Sequence, residues 1–261
     1  MKPALNHKTA KKRLRRFFEG TAEERRHVLS FVEDITNVGN AYIFGGAVRD
    51  ISLFGGSNFK GDVDIVLTTF EDHELERLIE TYDAEKNKFG GYRLQIGRWK
   101  FDIWEASKTW AFKTGKVKQE THLSLLETTF FNWDAILFDV QTGSLFHNKD
   151  YFTHLANKYL ELNLEDNPNT FGALIRTLRT LSLSDDIITG PKLSRFLKEK
   201  LSEASDHDVL SYEAESFTSR YISSSLLADV RAKADCWNGQ DNFKWRMAQQ
   251  KTLFQDMEVH L

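Results

Sequence analysis

Between residues 41 and 69 the hydrophobic pattern changes period twice, and this limits what the chain can become. "AYIFGG" is a short apolar run that reads as a buried strand, and "AVRDISLFGG" has the spacing of a helix running to a glycine stop. "GDVDIVLTT" follows as a second strand. Strand, glycine turn, helix and strand in direct succession imply a mixed α/β layer.

The rest of the chain extends this frame. Residues 8–18 have the pattern of a short basic helix carrying Leu14, Phe17 and Phe18. Thr21 and Glu24 fit a capping box, and Val28, Leu29, Phe31, Val32 and Ile35 give the next helix its apolar face before Gly39 and Asn40 end it. Residues 71–82 are expected to be helical, and "YRLQIG" and "WKFDIWEA" flank a Gly97-Arg98 turn as a hairpin. A polar helical stretch is expected next, then a strand at "AILFDV" and a turn over Gln141 to Ser144. Beyond about residue 150 strand signals fade. "TFGALIRTLRTLSL", "PKLSRFLKEKL" and "SSSLLADVRAKADCW" read as amphipathic helices. The expected fold class is α+β, a mixed sheet followed by a helical C-terminal region. The expected domains are N-terminal helices over 1–40, a catalytic domain over 41–160 and a helical domain over 161–261, joined by the polar "ELNLEDNPNT".

Composition excludes several classes. The 261 residues are 41% hydrophobic and 28% charged, ordinary values for a globular protein. No apolar run is long enough to span a bilayer, and the basic start lacks the apolar stretch of a secretory signal. The single cysteine, Cys236, allows no intrachain disulfide and fits the cytoplasm; packing is its expected role. The net charge of −3 argues against a general polycation, yet residues 1–30 are strongly basic and read as a solvated helix face or a phosphate-backbone contact. The histidines, His147, His154 and His207 among them, follow no metal-ligand spacing, and no nucleophile elbow is present.

Three features carry chemistry. Gly45-Gly46 stands between a strand and a helix, where the backbone can approach a ligand and the helix N-terminus favours phosphate. Asp62 and Asp64 are two apart at the start of a strand, so their carboxylates lie on one side. Such a pair calls for a hard cation, Mg²⁺ or Mn²⁺. Asp102, between Phe101 and Ile103, would join them if its strand lies alongside. Three carboxylates can hold two metals, one activating an acceptor hydroxyl and the other binding a triphosphate. Trp99, Trp104, Trp110 and Trp133 lie near these motifs, with core packing favoured over base stacking. Lys60 and Arg98 are open to a phosphate contact or a surface role.

"FGGAVRD" followed by "DVDIVL" resembles the head domain of the CCA-adding enzymes and bacterial poly(A) polymerases, in the polymerase-β nucleotidyltransferase superfamily. Gly45, Gly46, Val48, Arg49 and Asp50 match its first element, Asp62 and Asp64 its metal-binding pair, and Asp102 its third carboxylate. The resemblance implies that Gly45 and Gly46 line the triphosphate site and that Arg49 shapes it. It also implies transfer of a nucleoside monophosphate to a hydroxyl, with an RNA or tRNA-like 3′ end as the expected acceptor. "FFNWDAILFD" is similar to a later family segment, but Thr128 and Thr129 stand where the family has arginines and Asp134 where it has Asn. Arg176 and Arg179 match the start of the family's helical neck, and no Glu-Asp-x-x-Arg motif follows. These departures leave two alternatives open: a protein hydroxyl as acceptor, or a nucleotide- or RNA-binding module without turnover.

Overall fold

The computed structural model describes residues 5–19, 26–57, 59, 61–87, 90–184 and 186–244. The proposed capping box at Thr21 and Glu24, and Lys60, lie outside them. In chain order the elements begin with α1 (His7–Phe18), α2 (Arg26–Val38), β1 (Gly39–Phe44), α3 (Gly46–Phe54), β2 (Val63–Phe70) and α4 (Asp72–Thr81). The strands β3 (Glu85–Lys86), β4 (Tyr92–Ile96) and β5 (Trp99–Glu105) follow, then α5 (Trp110–Lys113), β6 (Ile136–Asp139), β7 (Ser144–His147) and α6 (Tyr151–Ala156). The last elements are β8 (Tyr159–Leu160), α7 (Thr170–Ser182), β9 (Ile188–Thr189), α8 (Pro191–Glu203), α9 (Asp206–Ser216), α10 (Ser224–Cys236) and β10 (Phe243–Lys244). The described residues form two compact units, one of those up to 129 with 133–153, the other of 130–132 with those from 154 to 244.

The first unit is built on a seven-stranded sheet in the order β3-β4-β5-β2-β1-β6-β7. The β2–β5 pair is parallel and its other pairs are antiparallel. Strand alternation sends Val63, Ile65, Phe101 and Ile103 to one face, all fully buried. There Phe31 of α2 meets Phe101 edge-on, with ring centroids 4.9 Å apart. Helix α1 contributes to this core as well. Phe17 packs edge-on to Trp99 and Phe59, Phe18 stacks on Phe138, and Ala10 and Leu14 are buried beside them. Each such aromatic burial stabilises by about 1.5–3 kcal/mol. The basic N-terminal helix is therefore solvated on one side only. One of its cations is structural: Arg13 donates to the carbonyls of Ser52 and Leu53, where α3 ends with unpaired C=O groups.

The opposite sheet face carries Tyr42, Phe44, Val66, Leu137 and Trp104. The polar helical stretch expected after residue 105 is not a continuous helix. It breaks into 3-10 turns at Ala106–Lys108 and His122–Glu127 and the single turn α5. These lay Ala106, Leu125, Leu126 and Phe112 across the middle of the face. Too few apolar residues recur at helical spacing to bury a longer helix there, while Thr121 and Ser124 cap the second turn reciprocally.

The second unit is mainly helical, with one correction to the expectation that strands end near residue 150. The two-residue strands β8, β9 and β10 form a small sheet, in the order β10-β9-β8. They are too short for a period to show in sequence. Helix α9 also escaped the sequence reading. Its core face holds Glu213, 1% exposed, which bonds Arg179 and accepts from the backbone N–H groups of Tyr221 and Ile222 at 3.0 and 3.1 Å. Arg179 is further held over the rings of Phe217 and Tyr221. Cys236 is exposed at the end of α10, contrary to the packing role expected for it.

Candidate active site

The two-residue turn at Gly97-Arg98 sets the geometry of the site. Gly97 has φ +58°, which a glycine-first hairpin turn requires. The turn fixes the β4–β5 register so that Ile96 faces Trp99 and Arg93 faces Asp102. On its other edge β5 runs parallel to β2, and here Asp64 is the register partner of Asp102. Register partners share a face, so Asp64, Asp102 and Arg93 project together beyond the edge of the apolar cluster. Asp62 lies exposed one residue before β2, rather than within it.

Arg93 grips Asp102 with two parallel bonds, Nε to Oδ1 at 2.9 Å and Nη2 to Oδ2 at 2.6 Å. Those hydrogen bonds, with the charge of Asp102, hold the Arg93 guanidinium above its ordinary basicity, and the charges of Asp62 and Asp64 add to the effect. All three carboxylates therefore act on one cation. Asp64 and Asp102 open into a cavity of about 980 Å³ whose walls include Arg93, Asn87, Lys108, Trp104, Trp110 and Lys113. Trp104 is steadied by its Nε1–H donating to Thr109 Oγ1 at 3.1 Å and by an edge-on contact with Phe44. Trp99, by contrast, is buried and donates to the carbonyl of Phe59 at 3.0 Å. The expectation of core packing thus holds for Trp99 and in part for Trp104, which packs on the apolar cluster and also lines the cavity, while Trp110 faces the cavity. Arg98 stacks over Trp99 and donates to the carbonyl of Ser57 at 2.9 Å.

Gly45 and Gly46 open α3. Gly45, at φ +76° and ψ −143°, occupies backbone space that is nearly glycine-only, and a Cβ there would meet nothing within 4 Å. Its N–H donates to the carbonyl of Ile136 at 3.2 Å, and the cap has no side-chain bond. Arg49, one turn into α3, bonds Asp50 at 2.7 Å and Asp134 across the unit. Burial works against its charge, but Asp134 and Asp50 outweigh burial and raise its basicity. Tyr151, also buried, donates to the carbonyl of Trp133 at 2.9 Å, and burial pushes its phenol up. Asp134, which replaces the resembled family's Asn, thus serves as the counter-ion of Arg49. Thr128 and Thr129 turn their hydroxyls back to the carbonyls of Leu125 and Leu126, ending a 3-10 turn.

No protein-family model matches the chain, and no characterised protein sequence does. Solved structures do match. A tRNA-processing enzyme in its apo form I aligns over 92% of this chain and 63% of its own, with TM-score 0.54 and 19% identity. The Thermotoga maritima CCA-adding enzyme complexed with tRNA aligns over 87% of this chain and 54% of its own, with TM-score 0.59 and 17% identity. A tRNA nucleotidyltransferase complexed with a primer tRNA and an incoming ATP analogue aligns over 80% and 60%, with TM-score 0.53 and 19% identity. The chain has the nucleotidyltransferase head fold. It spans between 54% and 63% of the length of these three structures.

Sequence reading missed Arg93, Lys108 and Lys113. For Arg93 the signal was present. A two-residue turn at Gly97-Arg98 pairs residues symmetrically about it, and counting outward reaches Arg93 opposite Asp102. The two lysines follow β5 in a segment whose path has no periodic signature. Among the described residues no group of three or more His, Cys, Asp or Glu side chains converges closely enough to hold a metal ion unaided. No described helix is long and apolar enough to cross a membrane.

Proposed function

We propose that the chain is a nucleotidyltransferase acting in the cytoplasm, moving a nucleoside monophosphate from a nucleoside triphosphate to a hydroxyl at an RNA 3′ end. The observation that carries this is Asp64 facing Asp102 across parallel strands, at the mouth of a cavity with cationic and aromatic walls. The fold likeness to tRNA nucleotidyltransferases supports it.

The donor set is compatible with Mg²⁺ or Mn²⁺. Asp62, Asp64 and Asp102 offer hard carboxylate oxygens, and such an ion commonly takes only one or two carboxylates, completing its shell with substrate phosphates and water. A bound ion would supply charge neutralisation and hydroxyl activation. The chain's own residues supply the remainder. Trp104 and Trp110 offer faces to a base, Lys108 and Lys113 face its phosphates, and the N-terminus of α3 behind Gly45-Gly46 offers backbone N–H groups to the triphosphate, with Arg49 fixing that turn. The acceptor oxygen attacks the α-phosphorus and a new P–O bond forms. The bond to the β-phosphate oxygen breaks, pyrophosphate leaves with the electron pair, and the hydroxyl proton passes to solvent.

The clamp of Arg93 on Asp102 and the threonines at 128 and 129 favour one second reading, a nucleotide-binding module without turnover. Incubation with each α-labelled triphosphate, Mg²⁺ or Mn²⁺, and total cellular RNA and protein separates the readings. Label in RNA with wild type and not with Asp62→Ala, Asp64→Ala is the expected result. Label in protein instead would reassign the acceptor. Bound triphosphate without transfer would favour the module.

A further inference from the structure

Arg93 and Asp102 form an unequal pair. The Asp102 side chain is 12% exposed and fixed by its strand, whereas the Arg93 side chain is 54% exposed at the end of a flexible stem. Both carboxylate oxygens of Asp102 are taken by the guanidinium fork. Asp62 and Asp64 add their attraction to the same cation. Arg93 is thus the built-in counter-ion of a carboxylate cluster that would otherwise repel itself. A divalent cation approaching Asp102 meets a positive charge already bound to both oxygens. A triphosphate in the same cavity presents oxygens that the guanidinium fork can bind equally well.

We propose that Arg93 and a divalent cation compete for Asp102, and that Arg93, once displaced, binds the triphosphate. This rests on the nucleotidyltransferase reading and adds a role for a residue outside the resembled motifs. The consequence is linkage: cation and nucleotide each favour the other's binding, because each relieves the cost the other meets at Arg93. Before nucleotide arrives, Arg93 holds cation affinity down. In its presence, Arg93 adds affinity.

The test measures Mn²⁺ binding by the loss of the free-ion electron paramagnetic resonance signal, for wild type, Arg93→Gln, Arg93→Lys and Asp64→Asn. Nucleotide affinity is read separately from quenching of tryptophan fluorescence, using an α,β-methylene triphosphate at saturating Mn²⁺. Without nucleotide, Arg93→Gln should bind Mn²⁺ about threefold or more tightly than wild type, the scale of a partly exposed but bidentate pair. Arg93→Lys should fall between, and it serves as the well-folded comparison if the Gln variant melts early. With Mn²⁺ saturating, Arg93→Gln should bind the analogue about tenfold more weakly. Unchanged or weaker Mn²⁺ binding by Arg93→Gln and Arg93→Lys, with wild-type binding still dependent on Asp64, would overturn the exchange and leave the parent reading standing. Mn²⁺ binding indifferent to Asp64→Asn in every protein would remove both.

Discussion

The neighbouring glycines at the start of α3 respond to the same substitution in opposite ways. At Gly45 a new Cβ enters open space, so its whole penalty is conformational. The backbone stands at φ +76° and ψ −143°, and holding an L-residue near that region costs about 1–3 kcal/mol. At Gly46 the backbone is helical, and a Cβ would sit 3.6 Å from Nη2 of Arg49, an ordinary contact. Alanine there relieves the entropic burden of a helical glycine, so stability should stay within about 0.5 kcal/mol of wild type or rise slightly. At roughly 2–4 °C per kcal/mol for a unit of this size, Gly45→Ala should melt about 2–12 °C lower and Gly46→Ala almost unchanged. Nucleotide binding should order the pair differently. The Gly46 methyl would project at the helix N-terminus where phosphate is expected to approach, so this stable variant should lose affinity. Thermal melting by circular dichroism and titration with a triphosphate read the two effects independently. Equal destabilisation by both substitutions would refute the conformational argument. Full affinity in Gly46→Ala would refute the phosphate turn.

Three further outcomes follow from other contacts. Gly91→Ala places a Cβ 2.6 Å from the carbonyl oxygen of Ile103 and 2.9 Å from Cβ of Trp104, neither of which can swing away. It should cost about 1–3 kcal/mol in urea unfolding and shift the tryptophan emission of the cavity wall, and a wild-type melt would refute it. Glu213→Ala leaves Arg179 charged and largely buried, for a loss of about 3–5 kcal/mol, whereas the joint change Arg179→Met, Glu213→Leu should recover most of it; this is measured by denaturant midpoints. His7, whose Nδ1 lies 3.0 Å from Nε2 of His147, is held below its ordinary value of 6.5 by burial, then by His147 and Lys11. The folded state therefore binds fewer protons than the unfolded one, so its stability falls as pH drops below about 6.5, and His7→Gln should flatten that fall in melts between pH 5 and 8.

The strands and helices of the first unit were legible because their cores are written in period. "GDVDIVLTT" holds the continuous apolar run Ile65-Val66-Leu67, as a strand buried on both faces does, and Phe31, Val32 and Ile35 recur at helical spacing on α2. The pairing of β2 with β5 was visible only as a condition, since a parallel neighbour cannot be read from one strand's own residues. The turns between residues 106 and 127 were misread because a polar segment that covers a sheet through scattered contacts at Ala106, Leu125 and Leu126 has no repeat to betray it. The same reasoning applies to β8, β9 and β10, and to α9, which buries one hydrophobe, Val209, beside an acid, Glu213, paired with Arg179. In the candidate site, Asp62 and Asp64 announced themselves by spacing and Arg93 could be counted from the turn, while Lys108 and Lys113 reach the cavity only through the fold.

The placement of α1 has a consequence during synthesis. It is made well before its partners, for Phe18 stacks on Phe138 and His7 meets His147. At about 5–20 residues per second, the ribosome needs on the order of ten seconds to deliver that second half. Through this interval a cationic helix trails from the exit tunnel with Phe18 still lacking Phe138, although Phe59 and Trp99 reach Phe17 sooner, and β1 likewise waits for β6. The nascent chain therefore passes through a window in which it is an attractive client for chaperones and prone to self-association. Slowing collisions, by lower growth temperature or added holdase, should raise the soluble yield more than speeding translation would.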